Sequence, residues 1–209
     1  PNLLSSRLNA NENAAIATLK NIATSQAQCR TSGAIDTNAN GAGEYGYLAE
    51  LSGGVGIRTS AGSPSATLLS PPALSGAFAE VHSPAGVTGG VVARSGYYFQ
   101  LYLPDGTGAG IPEADTGGVS TAPDANRAEV MWCCYAWPLA FGSSGRRAFF
   151  TNHGGDILGT PNHQRRYSGG VSVPTYDAAY LKGSGRRMAS TIAANTSGQD
   201  DQVWIVLTK

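Results

Sequence analysis

Charged residues are scarce in this chain of 209 amino acids, at 13% of the sequence, against a usual share of about 25%. The 14 basic and 14 acidic side chains balance, so no net field attracts nucleic acid or an anionic membrane. Glycine, by contrast, is abundant at 28 residues. A neutral surface rich in small residues and turns favours an exported, β-rich protein over a cytosolic enzyme.

Cysteine and long apolar runs are lacking as well. Cys29, Cys133 and Cys134 are the only cysteines, too few for a disulfide scaffold and without the spacing of a zinc site. No apolar run reaches the roughly 18 residues that a membrane span needs. The chain opens on Pro-Asn-Leu-Leu without a Met or a signal peptide, so we expect a processed or truncated start.

The first 32 residues have the pattern of one long amphipathic helix. Apolar residues recur there at helical spacing: Leu4, Leu8, Ala15, Ile16, Leu19, Ile22 and Ala23. The opposite face carries polar residues: Asn9, Glu12, Asn13, Lys20 and Gln28. Pro1 suits the first turn, and Gly33 can end the helix. A helix of about 25 to 30 residues would be about 40 Å long.

After Gly33 the pattern changes to short apolar runs separated by turn-forming residues, and the period becomes two. Strands are predicted at 96–103, 129–137, 147–152 and 202–208, and short helices near 44–51 and 71–81. Long loops are predicted at 104–126 and 160–177. The sequence thus predicts a single α+β domain, in which helix 1–32 packs on an antiparallel sheet within a β-rich head, 33–209.

Several stretches carry a likeness to a known family. The opening 1–4 (PNLL) and the segment 11–22 (NENAAIATLKNI) resemble the amphipathic continuation of a type IV pilin or pseudopilin helix. Looser matches follow along the chain: GEYGYLAEL (43–51), GYYFQLYLP (96–104), YAWP (135–138), GRRAFFTNHGGDI (145–157) and VWIVL (203–207).

The resemblance implies a non-catalytic structural subunit of a bacterial extracellular filament, either a type IV pilus or a type II secretion pseudopilus. Such a subunit polymerises through its amino-terminal helix, with itself or with other pilins, and requires no cofactor. The hydrophobic segment that anchors pilins in the inner membrane is missing from this sequence, so we expect weak assembly by this chain alone. The implied assembly surface consists of Pro1, Leu3, Leu4, Leu8, Glu12 and Ile16.

The length of the helix supports an assembly role independently of the resemblance. Because one small sheet cannot cover a helix of this length, its early part is expected to project. Leu3, Leu4 and Leu8 would then form an exposed apolar patch, which is typical of an interaction surface. The alternative is a helix that packs along its whole length on its own sheet.

Residues 36–41 (DTNANG) match the first half of an EF-hand-type calcium loop. The oxygen ligands would be Asp36, Asn38, Asn40 and Glu44. Tyr47 stands where such a loop ends in Glu, so any calcium affinity would be low. A simple turn built on Asn and Gly is the alternative.

The cysteines allow a bridge between helix and sheet. Cys133 and Cys134 are adjacent on a predicted strand, so they face opposite sides, and only one of them can face Cys29. Neither face is identifiable as the core from the sequence, so the choice of partner stays open. Three buried, reduced thiols are the alternative.

Two further functions remain open. A secreted adhesion or binding module would use the loops 104–126 and 160–177. Contact with DNA would require the three basic doublets, 146–147, 165–166 and 186–187, to converge, whereas scattered solvated pairs are the simpler interpretation. A hydrolase is disfavoured, because the His-Gly-Gly at 153–155 has no nucleophile elbow to accompany it.

Overall fold

The computed structural model describes residues 2–208, which form one long helix followed by an antiparallel sheet. Helix α1 spans Asn2–Ser32. Gly33 ends it with a φ of 65°, and its N–H donates to the carbonyl of Arg30 at 3.2 Å. The predicted opening helix is therefore confirmed over the described residues, and so is the α+β class.

The sheet has nine strands, and its neighbouring strands are all antiparallel. The strands are β1 (Val81–His82), β2 (Val91–Arg94), β3 (Tyr97–Pro104), β4 (Gly110–Pro112), β5 (Cys133–Pro138), β6 (Ala148–Asn152), β7 (Ile157–Thr160), β8 (Thr196–Ser197) and β9 (Val203–Thr208). Their order is β1-β2-β3-β5-β6-β7-β9-β8, with β4 paired to β3 off this path. Helix α1 packs across β5, β6 and β7.

The predicted short elements are only partly correct. The helix expected at 44–51 is the single turn α2, Leu48–Leu51, and that expected at 71–81 contains one 3₁₀ turn, Gly76–Ala79. The strand expected from 129 begins at Cys133, because the preceding residues continue from helix α3, Ala125–Ala128. The loop 104–126 is not wholly irregular, since it contains β4.

Both faces of the sheet are buried. The helix face carries residues that pack with α1: Phe99, Leu101, Cys134, Ala136, Phe149 and Ile157. The loop face carries residues that pack beneath the later chain: Tyr102, Cys133, Tyr135, Trp137, Phe150 and Leu158. The two cores explain why the apolar pattern of the 129–137 segment did not distinguish an inside from an outside.

The cover of the loop face, residues 161–195, has only isolated bridges in place of helices and strands. Its backbone groups are satisfied in part by sheet side chains. The hydroxyl of Tyr135 donates to the carbonyl of Tyr176 at 2.8 Å and accepts from the N–H of Ala179 at 3.0 Å. The indole of Trp137 donates to another carbonyl of the same segment. An irregular segment can be buried here because its polar groups find partners.

Candidate functional site

The free end of helix α1 is the first part of the candidate site. From Asn2 to Arg7 every residue is exposed. Leu3 is 88% exposed and Leu4 is 48% exposed, and we call these two residues the leucine tip. Pro1, also predicted to belong to the assembly surface, lies outside the described residues. The predicted exposure of the two leucines is confirmed.

The helix meets the sheet at Leu8, earlier than predicted. Leu8 is only 3% exposed, and it lies beside β7 and β9 at the wall of a groove. The prediction of an exposed Leu8 is wrong, because the edge of the sheet reaches one turn further along the helix than the sequence pattern indicated.

Glu12 is a second correction, since the sequence places it on the polar, solvent-facing side of the helix. It is 6% exposed. Its Oε1 accepts hydrogen bonds from the backbone N–H groups of Arg146 and Arg147, each at 3.1 Å, and its Oε2 pairs with the Nε of Arg147 at 2.7 Å. The guanidinium of Arg147 in turn lies 5.1 Å from the ring centre of Phe149. Glu12 therefore joins the helix to the start of β6.

A groove of about 300 Å³ lies between the first half of α1 and the β7–β9 edge. It is lined by apolar residues and by a basic rim: Leu8, Gly159, Pro161, Ile205, Leu207, Arg146 and His163 among others. On β9, Val203, Ile205 and Leu207 are 49%, 44% and 37% exposed. The groove begins at Ser5 and Leu8, directly after the leucine tip in the chain, and Ile205 and Leu207 are its exposed apolar residues on the sheet.

The sequence does not single out these β9 residues, although a signal is present. In 203–207 (VWIVL) apolar residues occupy both faces of the strand. Trp204 is fully buried on the loop face, at 0% exposure. Its neighbours Val203 and Ile205 point to the other face, which α1 leaves uncovered at this edge.

The second half of α1 is fixed to the domain by apolar and polar contacts. Leu19 and Ile22 are fully buried, and Ile16 is half-buried against the same cluster. The side-chain amide of Gln26 exchanges two hydrogen bonds with the backbone of Gly46, at 2.8 and 2.9 Å. Because this buried amide has both partners, it fixes the position of the helix relative to the following loop.

All three cysteines are free and buried, so the predicted bridge from Cys29 to Cys133 or Cys134 is not present. Cys133 lies on the loop face, on the far side of the sheet from Cys29, whereas Cys134 shares the helix-face core with it. The thiol of Cys29 donates to the carbonyl of Glu44 at 3.7 Å. Burial, assisted by the nearby Glu50 carboxylate, raises the pKa of Cys29 to about 12, which keeps the thiol protonated.

The calcium-like segment is a hydrogen-bonded turn. Asp36 accepts from the N–H groups of Asn40 and Gly41 at 3.1 and 2.9 Å. The side-chain amides of Asn38 and Asn40 donate to Glu129 at 3.1 and 2.8 Å. These hydrogen bonds fit the alternative to a calcium loop, which is a simple turn built on Asn and Gly. Calcium binding by Asp36, Asn38 and Asn40 stays a prediction.

Glu44 contacts the same segment from the buried side. Its side chain is fully buried, accepts from the N–H of Thr37 and pairs with Arg58 at 3.2 Å. This pairing does not favour a role as calcium ligand, which stays a prediction. Within residues 2–208 no group of three or more His, Cys, Asp or Glu side chains could hold a metal ion.

Arg58 is the centre of a buried charge network. Its guanidinium also pairs with Glu50 at 2.8 Å. Burial alone would lower the pKa of Arg58, but Glu50 and Glu44 raise it above its usual value. Nearby, burial raises the pKa of Glu113 to about 8. The carboxyl of Glu113 accepts from the N–H groups of Ala49 and Gly118 at 3.2 and 2.9 Å, so it ties α2 to the loop 104–126.

The basic doublets do not act as one free patch. Arg147 pairs with Glu12, Arg186 pairs with Asp177 at 2.8 Å, and Arg165 lies 4.0 Å from Asp201. One arginine of each doublet therefore has an acidic neighbour. Contact with DNA stays a prediction that these contacts do not favour.

In comparisons with known proteins, no family model, no curated protein and no solved structure matches this chain. Within residues 2–208 there is also no helix of the length and hydropathy required to cross a membrane.

Proposed function

We propose that this chain is a non-catalytic structural subunit of a bacterial extracellular filament, of the type IV pilus or type II secretion pseudopilus class. It assembles with copies of itself or with related subunits through the first half of α1. The observation that carries the proposal is the leucine tip, a pair of exposed leucines on the projecting first turns of a helix that packs on the sheet from Leu8 onwards.

Helix α1 has an exposed start and a packed remainder, and this difference supports an assembly role. Burying the exposed surface of Leu3 and Leu4 against another subunit would be favourable, by about 25 cal/mol for each Å² of apolar surface removed from water. From Leu8 onwards the helix is held by Glu12, by apolar packing and by Gln26, so its direction relative to the sheet is fixed. Because the helix holds the leucine tip in one orientation, each subunit can present the tip to its neighbour in the same geometry.

The general α+β class is compatible with the resemblance at 1–4 and 11–22, and it supports the proposal at that level. A long opening helix lies along one face of an antiparallel sheet, and residues 161–195 cover the opposite face. Anchoring in the inner membrane belongs, in this proposal, to the hydrophobic segment that pilins carry ahead of such a helix.

The test compares self-association of the wild-type chain with that of the double variant Leu3→Ser, Leu4→Ser by analytical ultracentrifugation at high concentration. We expect weak association of the wild type and its loss in the variant, with the free energy of unfolding unchanged within about 0.5 kcal/mol. The matched control replaces two other exposed apolar residues, Leu68→Ser and Val171→Ser, and should associate like the wild type. A wild type that stays monomeric, or a variant that associates normally, would contradict the proposal.

A second candidate is an adhesion module, and one observation favours it. A polar pocket of about 230 Å³ lies in the cover of the loop face. It is lined by Arg165, Tyr167, Ser172, Val173, Thr175, Asp177, Arg186, Gln199 and Asp200. Several of these belong to the predicted binding loop 160–177, and none to the other predicted loop, 104–126. A glycan screen should then lose its hits in Arg165→Ala and keep them in Arg7→Ala, whereas an absence of hits with the wild type would count against this candidate.

A further inference from the structure

The turn that follows α1 contains Asn40-Gly41, which is the only Asn-Gly pair in the sequence. Both residues are exposed, and Gly41 has a φ of 86°. Glycine has no side chain to hinder its backbone nitrogen, so this nitrogen can approach the side-chain amide of the preceding asparagine. Ring closure between the two gives a five-membered succinimide.

Three groups surround the atoms that take part in this ring closure. The Oδ2 atom of Asp36 accepts the N–H of Gly41, the attacking nitrogen, at 2.9 Å. The N–H of Ala42 donates to the Oδ1 atom of Asn40 at 2.8 Å. The leaving amide nitrogen, Nδ2 of Asn40, donates to Glu129 at 2.8 Å.

These contacts have the geometry of a small catalytic arrangement. A carboxylate within hydrogen-bond reach of the proton to be removed can act as a general base. A backbone N–H directed at the carbonyl oxygen stabilises the negative charge that develops on it during attack. The neighbouring Asn38 also contacts Glu129, but the residue after it is Ala39, whose N–H donates to a backbone carbonyl at 3.4 Å.

We propose that Asn40-Gly41 is a self-modification site, at which Asp36 promotes conversion of the asparagine to aspartate and isoaspartate. Asp36 takes the proton of the Gly41 N–H as that nitrogen bonds to Cγ of Asn40. The bond from Cγ to Nδ2 then breaks, and the removed proton reaches the departing nitrogen through water, so ammonia leaves. Water finally opens the succinimide at either carbonyl, without any oxidant or cofactor.

The product changes the contacts of this turn. A carboxylate at position 40 can no longer donate to Glu129, and it repels that carboxylate and Asp36. The turn is attached to the segment after α3 through hydrogen bonds to Glu129. The conversion therefore weakens the attachment of the turn to that segment.

The experiment follows the conversion by peptide mass spectrometry and isoaspartate detection during incubation of the intact chain near neutral pH. Folded wild type is compared with the same chain in denaturant and with the variant Asp36→Asn. We expect conversion at Asn40 to be faster in the folded chain than in the denatured one. We also expect it to be slower by about tenfold or more in Asp36→Asn.

Asn38-Ala39, in the same turn, is the internal control and should stay unconverted in every sample. The comparison of folded with denatured wild type does not depend on how well the variant folds. A folded chain that converts no faster than the denatured one would overturn the proposal, and so would an Asp36→Asn variant with the wild-type rate.

Discussion

The two faces of the sheet are covered in different ways. On the helix face the cover is α1, whose backbone hydrogen bonds are made within the helix, together with residues 34–80, which add Leu48, Leu51, Leu69, Leu74 and Phe78 to the same core. The sheet presents mainly apolar residues to this cover, such as Phe99, Leu101 and Phe149. On the loop face the cover is 161–195, and the sheet presents Tyr135 and Trp137. Helix α1 needs only apolar contact from the sheet, whereas the irregular cover 161–195 also needs polar sheet atoms that satisfy its backbone.

The largest effect is expected from a cavity on the helix face. Leu19 is fully buried between α1 and the sheet, so Leu19→Ala should lower the free energy of unfolding by about 2–5 kcal/mol. Urea unfolding measures this loss. Leu4→Ala, at the exposed tip, is the control, and its effect should stay within about 0.5 kcal/mol. Equal losses in the two variants would show that α1 is not held by this core.

The second effect tests whether the cover of the loop face depends on hydrogen bonds from side chains of the sheet. Tyr135→Phe removes the hydroxyl that bonds both Tyr176 and Ala179, and it should lower the free energy of unfolding by about 1–3 kcal/mol. On the helix face, Tyr97→Phe removes a hydroxyl that donates to one carbonyl, that of Arg147, at 2.8 Å. This control should lose less. The distinction between the faces would fail if Tyr97→Phe were the more damaging change in the same urea assay.

The smallest expected effect, expressed per pH unit, is the pH dependence of the free energy of unfolding that Glu113 causes. Because the folded pKa of about 8 lies above the usual value of 4.5, the folded state holds one more proton than the unfolded state between these values. The free energy of unfolding should therefore fall as pH rises through this window, by at most about 1.4 kcal/mol per pH unit from this group. Glu113→Gln should remove this part of the slope, and an unchanged slope in thermal or urea unfolding would contradict the assignment.

Much of the fold could be predicted because its signals are local. The three-and-four spacing of Leu4, Leu8, Leu19 and Ile22 and the stop at Gly33 are contained within one segment, and they predict α1 closely. The aromatic runs of β3 and β6 are equally local. The loop-face cover has no period for a pattern to reveal, because its position depends on polar contacts with distant strands.

The candidate site likewise has some residues whose environment could be predicted from local sequence and others whose environment depends on distant contacts. The exposure of Leu3 and Leu4 follows from the length of the helix, and it could be predicted. The burial of Glu12 could not, because its partners Arg146 and Arg147 are separated from it by 134 and 135 positions in the chain. Only the folded sheet brings them to the helix.

The Glu12–Arg147 contact also has a mechanical meaning. In the proposed filament, tension applied at the leucine tip would pass along α1. The first attachments along the helix are Leu8 and then Asn11, whose side-chain amide donates to the carbonyl of Ser144 at 2.8 Å. Glu12 follows, held by two N–H groups and a guanidinium at the start of β6. Because β6 lies between β5 and β7 in the sheet, this load would spread into neighbouring strands before it reaches the second half of the helix. In that proposal Glu12 is the charged contact through which a pulled helix would transfer load to the sheet.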